Sequence, residues 1–321
     1  MGRDLYNNSR SARDLMDQVC ALPSLEHIHQ VTFEGPEDLL TRTDNVQPAI
    51  TTVSLMAWLA INEAVAKVGK TMKPLACAGH SLGEYAAHTA AGNLSPLDAV
   101  KLTAARGGWM NEASQPPNPS GGMVAVMGIG FEKIDEIVAD SGADKVAIAN
   151  INSPGQIILS GEATAIAAVS SALTVAGAKR VIPLNVSGAW HSPLMKSAQV
   201  KMAGLLGSEI VEGKVSINKE ILVVANATSD VVDSTSVMKD TLAKQITSPV
   251  VWTECVRRLL TASGYPGLPS EFPGHPEPWP IFVEIGPGKV LRGLLRSIDK
   301  GIETAGVEDS VSLEAFLSVI S

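Results

Sequence analysis

The order of apolar segments in this 321-residue chain predicts an α/β fold: a core with a parallel sheet, interrupted by a smaller inserted unit. Three observations predict it. Alanine-rich helical stretches alternate with short buried strands that run into glycine turns. One stretch, 123–184, carries its own βαββαβ rhythm. The chain is 45% hydrophobic and 18% charged, enough apolar material for a sizeable core and too little charge for disorder.

Taken in order, 47–68 is apolar almost all round and reads as a core helix, with Pro48 near its first turn. Residues 73–79 form a short strand into a glycine turn, and 82–91 a helix that stops at Gly92-Asn93. Ser95-Pro96 caps and opens a further helix over 97–113. Gln115 starts a QPPNPSGG linker. Strands follow at 123–128, 145–151, 156–160 and 179–184, with helices at 131–140 and 162–176. That is the split-βαβ, ferredoxin-like order, expected as a small subdomain over 118–186 set between core segments 1–117 and 187–321. Beyond it come a helix from Pro193, a strand at 221–225, and helices at 237–245 and 250–263. The six prolines of 264–280 predict an irregular surface excursion. A strand at 281–285 then meets Gly286-Pro287-Gly288, and a helix with Arg292 and Arg296 follows.

The charge balance, 25 Lys+Arg against 33 Asp+Glu, gives a net −8 and argues against a nucleic-acid partner. Cys20, Cys77 and Cys255 are far apart and odd in number, which offers neither metal spacing nor a disulfide framework and suits a reducing compartment. Met1-Gly2-Arg3-Asp4 opens no apolar leader, and the apolar run 51–68 is broken by Asn62 and Glu63. The expectation is a cytoplasmic chain with no membrane span and no bound metal.

Gly79-His80-Ser81-Leu82-Gly83 is a G-x-S-x-G between a strand and a helix, the setting of a hydrolase-like core. A tight turn there exposes the serine hydroxyl. The helix N-terminus and the Leu82 N–H can then meet a developing oxyanion. Alone the pentapeptide is a weak signal; its strand and helix flanks make Ser81 the candidate nucleophile. A serine needs a base. Of six histidines, His191 in Gly188-Ala189-Trp190-His191-Ser192 is favoured, because it lies on a strand-to-helix loop. His80 should diverge from the serine, His88 reads as structural, and His27, His29 and His275 fall in polar or proline-rich segments. Arg106 stands among alanines and glycines in Ala104-Ala105-Arg106-Gly107-Gly108. From spacing alone, a solvent-facing helix charge is the better reading.

Together these segments carry a family resemblance. Ala78-Gly79-His80-Ser81-Leu82-Gly83-Glu84-Tyr85 resembles the nucleophile motif of malonyl-CoA:acyl-carrier-protein transacylases and polyketide-synthase acyltransferase domains. Gln47-Pro48-Ala49, Ala105-Arg106-Gly107, Asn150-Ile151-Asn152-Ser153-Pro154-Gly155-Gln156, Gly188 to Ser192, Gln245 to Val250 and Glu284 to Gly288 follow in the family's order. The resemblance implies Ser81 as acylated nucleophile and His191 as its base. It also implies Arg106 as partner of a malonyl carboxylate, the Gln245 carbonyl as orienter of the imidazole, and the Leu82 N–H as an oxyanion donor. Trp190, beside the base, would leave little room for branched acyl groups. The implied reaction is ping-pong transfer of malonyl from malonyl-CoA to an acyl carrier protein, by a monomer without a cofactor. The family's opening strand and G-Q-G-S-Q turn, with its second oxyanion donor, has no counterpart ahead of Met1. A shortened copy or an upstream start is therefore expected.

Two rivals remain at this stage. An α/β serine hydrolase would need an acid for His191; Asp144 sits in no convincing motif, and Asp230 follows the histidine. A non-catalytic homologue would bind carrier protein without acylating Ser81.

Overall fold

Five helices precede the first strand. The computed structural model describes residues 1–142, 144–208, 215–263 and 281–320. It opens with α1 (Arg3–Asn8), α2 (Arg10–Cys20), α3 (Ile28–Glu34), α4 (Glu37–Thr41) and α5 (Thr43–Lys67). Ser9 caps α2 by accepting from the Ala12 N–H at 3.2 Å. Its hydroxyl donates in turn to Glu63 of α5 at 2.8 Å, and the Ser11 N–H donates to the same carboxylate at 2.9 Å. The buried face of α2, with Leu15, Met16 and Val19, packs on α5. Helix α5 begins four residues before the expected 47, so Pro48 lies inside the helix and not at its start. Among the described residues it is the one helix long and apolar enough to cross a bilayer, yet 56% of that window is buried within the protein.

Strand β1 (Ala76–Cys77) feeds the glycine turn and α6 (Gly83–Ala90); α7 (Pro96–Ala113) follows. Next come β2 (Gly121–Met127), α8 (Phe131–Asp140), β3 (Val146–Ser153), β4 (Gln156–Glu162), α9 (Ala163–Val175) and β5 (Arg180–Pro183). These strands form one antiparallel sheet in the order β3-β4-β2-β5. Alternation decides its two faces. Val124, Val126 and Leu159 point to one side and pack with Ile134 and Val138 of α8 and Ile166, Val169 and Leu173 of α9. Met123, Ala125 and Ile158 form the other face, against which Trp190 packs.

A short 3₁₀ turn (Pro193–Met195) leads into α10 (Lys196–Leu206), followed by β6 (Leu222–Val223), α11 (Thr235–Lys244) and α12 (Trp252–Ser263). The chain closes with β7 (Phe282–Ile285), α13 (Val290–Ile298), β8 (Thr304–Val307) and α14 (Ser310–Ile320). The proline-rich stretch expected to be irregular, 264–280, lies outside the described residues, as does His275. The parallel sheet is present as two pairs, β1 with β6 and β7 with β8.

Two compact units emerge. The first comprises Met1–Gly107, Lys214–Val223 and Leu259–Ser321; the second, Gly108–Gly213 and Val224–Arg258. The second unit extends well beyond the 118–186 expected from local rhythm. The reason is non-local pairing at the edge of the antiparallel sheet. The Val250 N–H donates to Ala149 O at 2.8 Å, the Ile151 N–H to Val250 O at 2.9 Å, and the Val251 N–H to Asn226 O at 3.0 Å. Inside the first unit, α7 presses on the start of α5 at Gly107, where a Cβ would stand 2.5 Å from the Thr43 carbonyl oxygen. Only glycine permits that approach.

Candidate active site

Ser81 sits at the head of α6 with φ of 52°, a left-handed conformation rare for a side-chain-bearing residue. The sequence builds this turn from small residues. A Cβ on Gly79 would lie 1.9 Å from the Gly83 carbonyl oxygen, so the backbone crosses itself there as only glycine allows. The N–H groups of Gly83 and Glu84 donate to the carbonyls of His80 and Ser81 at 2.9 and 3.1 Å, winding the chain into the helix. Leu82, at the N-cap, follows the serine at this positive end of α6.

Arg106 is 1% exposed, among the largest fully buried side chains of the protein. Its Nη2 donates to Ser81 Oγ at 3.1 Å and its Nη1 to Gln47 Oε1 at 2.7 Å. Gln47 is itself buried and donates its amide to Thr43 Oγ1 at 3.1 Å. Burial pulls the guanidinium pKa below its ordinary value, while neighbouring Tyr85 and Glu84 push it back up. Glu84 and Tyr85 are both fully buried. A guanidinium stays protonated in proteins, so a permanent cation is held against the Ser81 hydroxyl. The charge read from spacing as solvent-facing is therefore buried, a correction that follows from α7 lying against α5.

His191, in the second unit, is 3% exposed and also carries a positive φ, 57°. Backbone strain of this kind gathers where a side chain must be aimed. Its Nδ1 lies 2.6 Å from the Gln245 carbonyl oxygen. The Nδ1 proton is donated there, which makes Nε2 the basic nitrogen. Gln245 is the C-cap of α11, so its carbonyl belongs to the negative end of a helix and favours an imidazolium. Ser192, the next residue, donates its hydroxyl to Ala189 O at 2.7 Å and fixes the loop. The hydrolase rival needed a carboxylate at Nδ1. A carbonyl stands there instead, and Asp144 and Asp230 are both exposed.

The structure thus brings Ser81, Leu82 and Arg106 together in one unit, and His191 with Gln245 in the other. Trp190 lies beside His191 in sequence, half-buried against the Met123–Ala125–Ile158 face of the sheet. Gln47 is the residue that motif reading named without a role. Asn45 and Asn62 are further amides of the same largely apolar helix, so no sequence signal singled Gln47 out. Among the described residues no three His, Cys, Asp or Glu side chains gather as metal ligands do.

Comparison with known proteins places this geometry. The model of the acyl transferase domain matches residues 1–277. The malonyl CoA-acyl carrier protein transacylase of Bacillus subtilis (strain 168) is 36% identical over the whole chain and 92% of its own length. The transacylase of the same name from Staphylococcus aureus (strain MRSA252) is 34% identical over 96% of this chain and 91% of its own. Among solved structures, the acyl-carrier-protein S-malonyltransferase of Bartonella henselae superposes with a TM-score of 0.84 at 32% identity, covering 100% of this chain and 94% of that one. A malonyl-transacylase solved in complex with a type II PKS acyl-carrier protein also scores 0.84, at 31% identity over 99% of this chain and 94% of that one. With its strained serine turn, its buried arginine and its match over most of its length, the chain belongs to the acyl transferase domain family.

Proposed function

We propose that this enzyme moves a malonyl group from coenzyme A to the pantetheine thiol of an acyl carrier protein through an ester on Ser81. The observation that carries the reading is the buried Arg106 guanidinium on Ser81 Oγ. A cation held so close to a nucleophile suits an acyl group that ends in a carboxylate, with which the guanidinium fork pairs in two places. An acetyl group offers nothing to that charge, and a buried unanswered cation is costly.

The steps follow from the groups present. His191 Nε2 takes the hydroxyl proton as Ser81 Oγ bonds to the thioester carbonyl carbon. The oxyanion is met by the Leu82 N–H at the start of α6. The C–S bond then breaks, and the coenzyme A thiolate leaves with the proton from His191. In the second half, His191 takes the proton of the pantetheine thiol, sulfur attacks the seryl ester, and Ser81 recovers its hydrogen. The thioester is already an activated donor, so the reaction calls for no redox group or metal.

Incubation with malonyl-CoA followed by intact-mass measurement tests the reading. A malonyl adduct that is absent from Ser81→Ala, and discharged by holo carrier protein, is expected. Release of free malonate with no transfer to carrier would overturn it in favour of a hydrolase, and carrier binding without an adduct in favour of a non-catalytic homologue.

A further inference from the structure

On the first unit a concavity opens, of about 660 Å³. That falls within the size of small-molecule sites, roughly 300–1,000 Å³. Its walls come from the loop after α2, the α4–α5 junction and one face of α7. The floor is apolar: Leu22, Leu25 and Leu39, with the methyl groups of Ala104 and Ala105. Ala104 and Ala105 precede Arg106 in the chain, but Arg106 extends to Gln47 and Ser81, and none of these three lines the cleft.

The polar groups of the rim divide into two kinds. His27 and Asn45 are joined at 2.8 Å, and the Asn45 amide donates to Leu39 O at 2.9 Å, so this wall is held by its own hydrogen bonds. Arg42 and Lys101 are the other kind, cations at the mouth with side chains 55% and 48% exposed. Asp44 accepts from Arg42 at 2.7 Å. The nearest acid to Lys101 is Asp98 at 3.9 Å, a long and exposed pair worth little. Asp44 engages Arg42 through both carboxylate oxygens, at 3.2 and 2.7 Å, so Lys101 is the lining cation whose pairing is long and exposed.

We propose that this cleft binds a small amphipathic monocarboxylate, its aliphatic chain on the leucine and alanine floor and its head on Lys101. The floor supplies affinity through apolar burial, about 0.8 kcal/mol per buried methylene. Lys101 supplies selection for an anionic head.

Isothermal titration of the full chain with octanoate, below its micelle concentration, tests this. One saturable site is expected, with affinity at least tenfold greater than for octanol or octylammonium. Lys101→Glu, on an exposed helix position, should weaken octanoate at least tenfold. Ala104→Trp should abolish binding by filling the floor, with an unchanged melting temperature showing that the variant folds. Arg106→Ala should bind octanoate as the parent does. Absence of saturable binding, equal binding of octanol, or indifference to Lys101→Glu overturns the proposal. So does loss of binding in Arg106→Ala, which would place the carboxylate beside Ser81 instead.

Discussion

At the scale of single residues, the site depends on how Arg106 is held. It donates to two neutral acceptors, Ser81 Oγ and Gln47 Oε1, so under the proposed function a malonyl carboxylate would meet a guanidinium already aimed at Ser81. Arg106→Ala should lower kcat/KM for malonyl-CoA by roughly 10²-fold, as loss of a charged hydrogen-bonding group does. Acetyl-CoA, which brings no carboxylate, should lose little or gain. Parallel assays with the two donors decide it, and equal losses would return Arg106 to a structural role. Gln47→Leu keeps the volume of the side chain but removes the acceptor. It should raise the malonyl KM by about five- to tenfold, the size of one net hydrogen bond, with kcat changed less. The two residues are 59 positions apart, which is why sequence spacing gave Gln47 no role. The turns that hold Ser81 and His191 were easier to read. Each residue occupies a turn whose small or capping neighbours are local, and each takes the positive φ that such turns impose.

At the scale of elements, the N-terminus of α2 is tied to the middle of α5 through Glu63. Partial burial works to raise the Glu63 pKa, but the Ser11 N–H, the Ser9 hydroxyl and Lys67 outweigh it and hold the carboxyl down at about 2. A carboxyl lowered on folding stabilises the folded state above its unfolded pKa, near 4.5. It loses that contribution as pH falls through the interval down to about 2. Glu63→Gln should therefore cost about 1–2 kcal/mol at pH 7, and its deficit relative to the parent should shrink by pH 3. Urea titrations of both proteins at the two pH values measure this; a deficit that persists at pH 3 would mean that packing, not charge, is lost. Element positions were largely legible because glycines, prolines and caps mark them. The start of α5 was not, because Pro48 resembles a first-turn proline while the helix gains another turn from Thr43 onward. Nor was the extent of the second unit, which rests on Val250 pairing with a strand edge a hundred residues earlier.

At the scale of the whole molecule, charge and strand pairing are unevenly distributed. Of the basic residues near the late motifs, Arg292 is committed to the buried Glu284 at 3.2 Å and Lys201 to Glu112 at 2.7 Å. Reversing Arg292 would break that buried pair, so Lys196, which donates to the neutral Gln199 at 2.9 Å, is the better test of carrier docking. Lys196→Glu should raise the carrier KM several-fold and leave Ser81 acylation intact. Salt should slow the second half-reaction more than the first, since exposed charges are screened beyond about 8 Å at physiological strength. A second step insensitive to both changes would place the carrier elsewhere. Pairing is uneven too. β2 is laddered along its length to β4 and over four residues to β5, whereas β1 and β6 share two residue pairs and β7 and β8 four. Few ladder bonds mean little to hold a segment shut against local opening. In deuterium exchange the amides of β2 and β4 should outlast those of β1 and β6 by at least tenfold. The strand that leads into Ser81, β1, would then breathe on a faster clock than the sheet of the unit that carries His191.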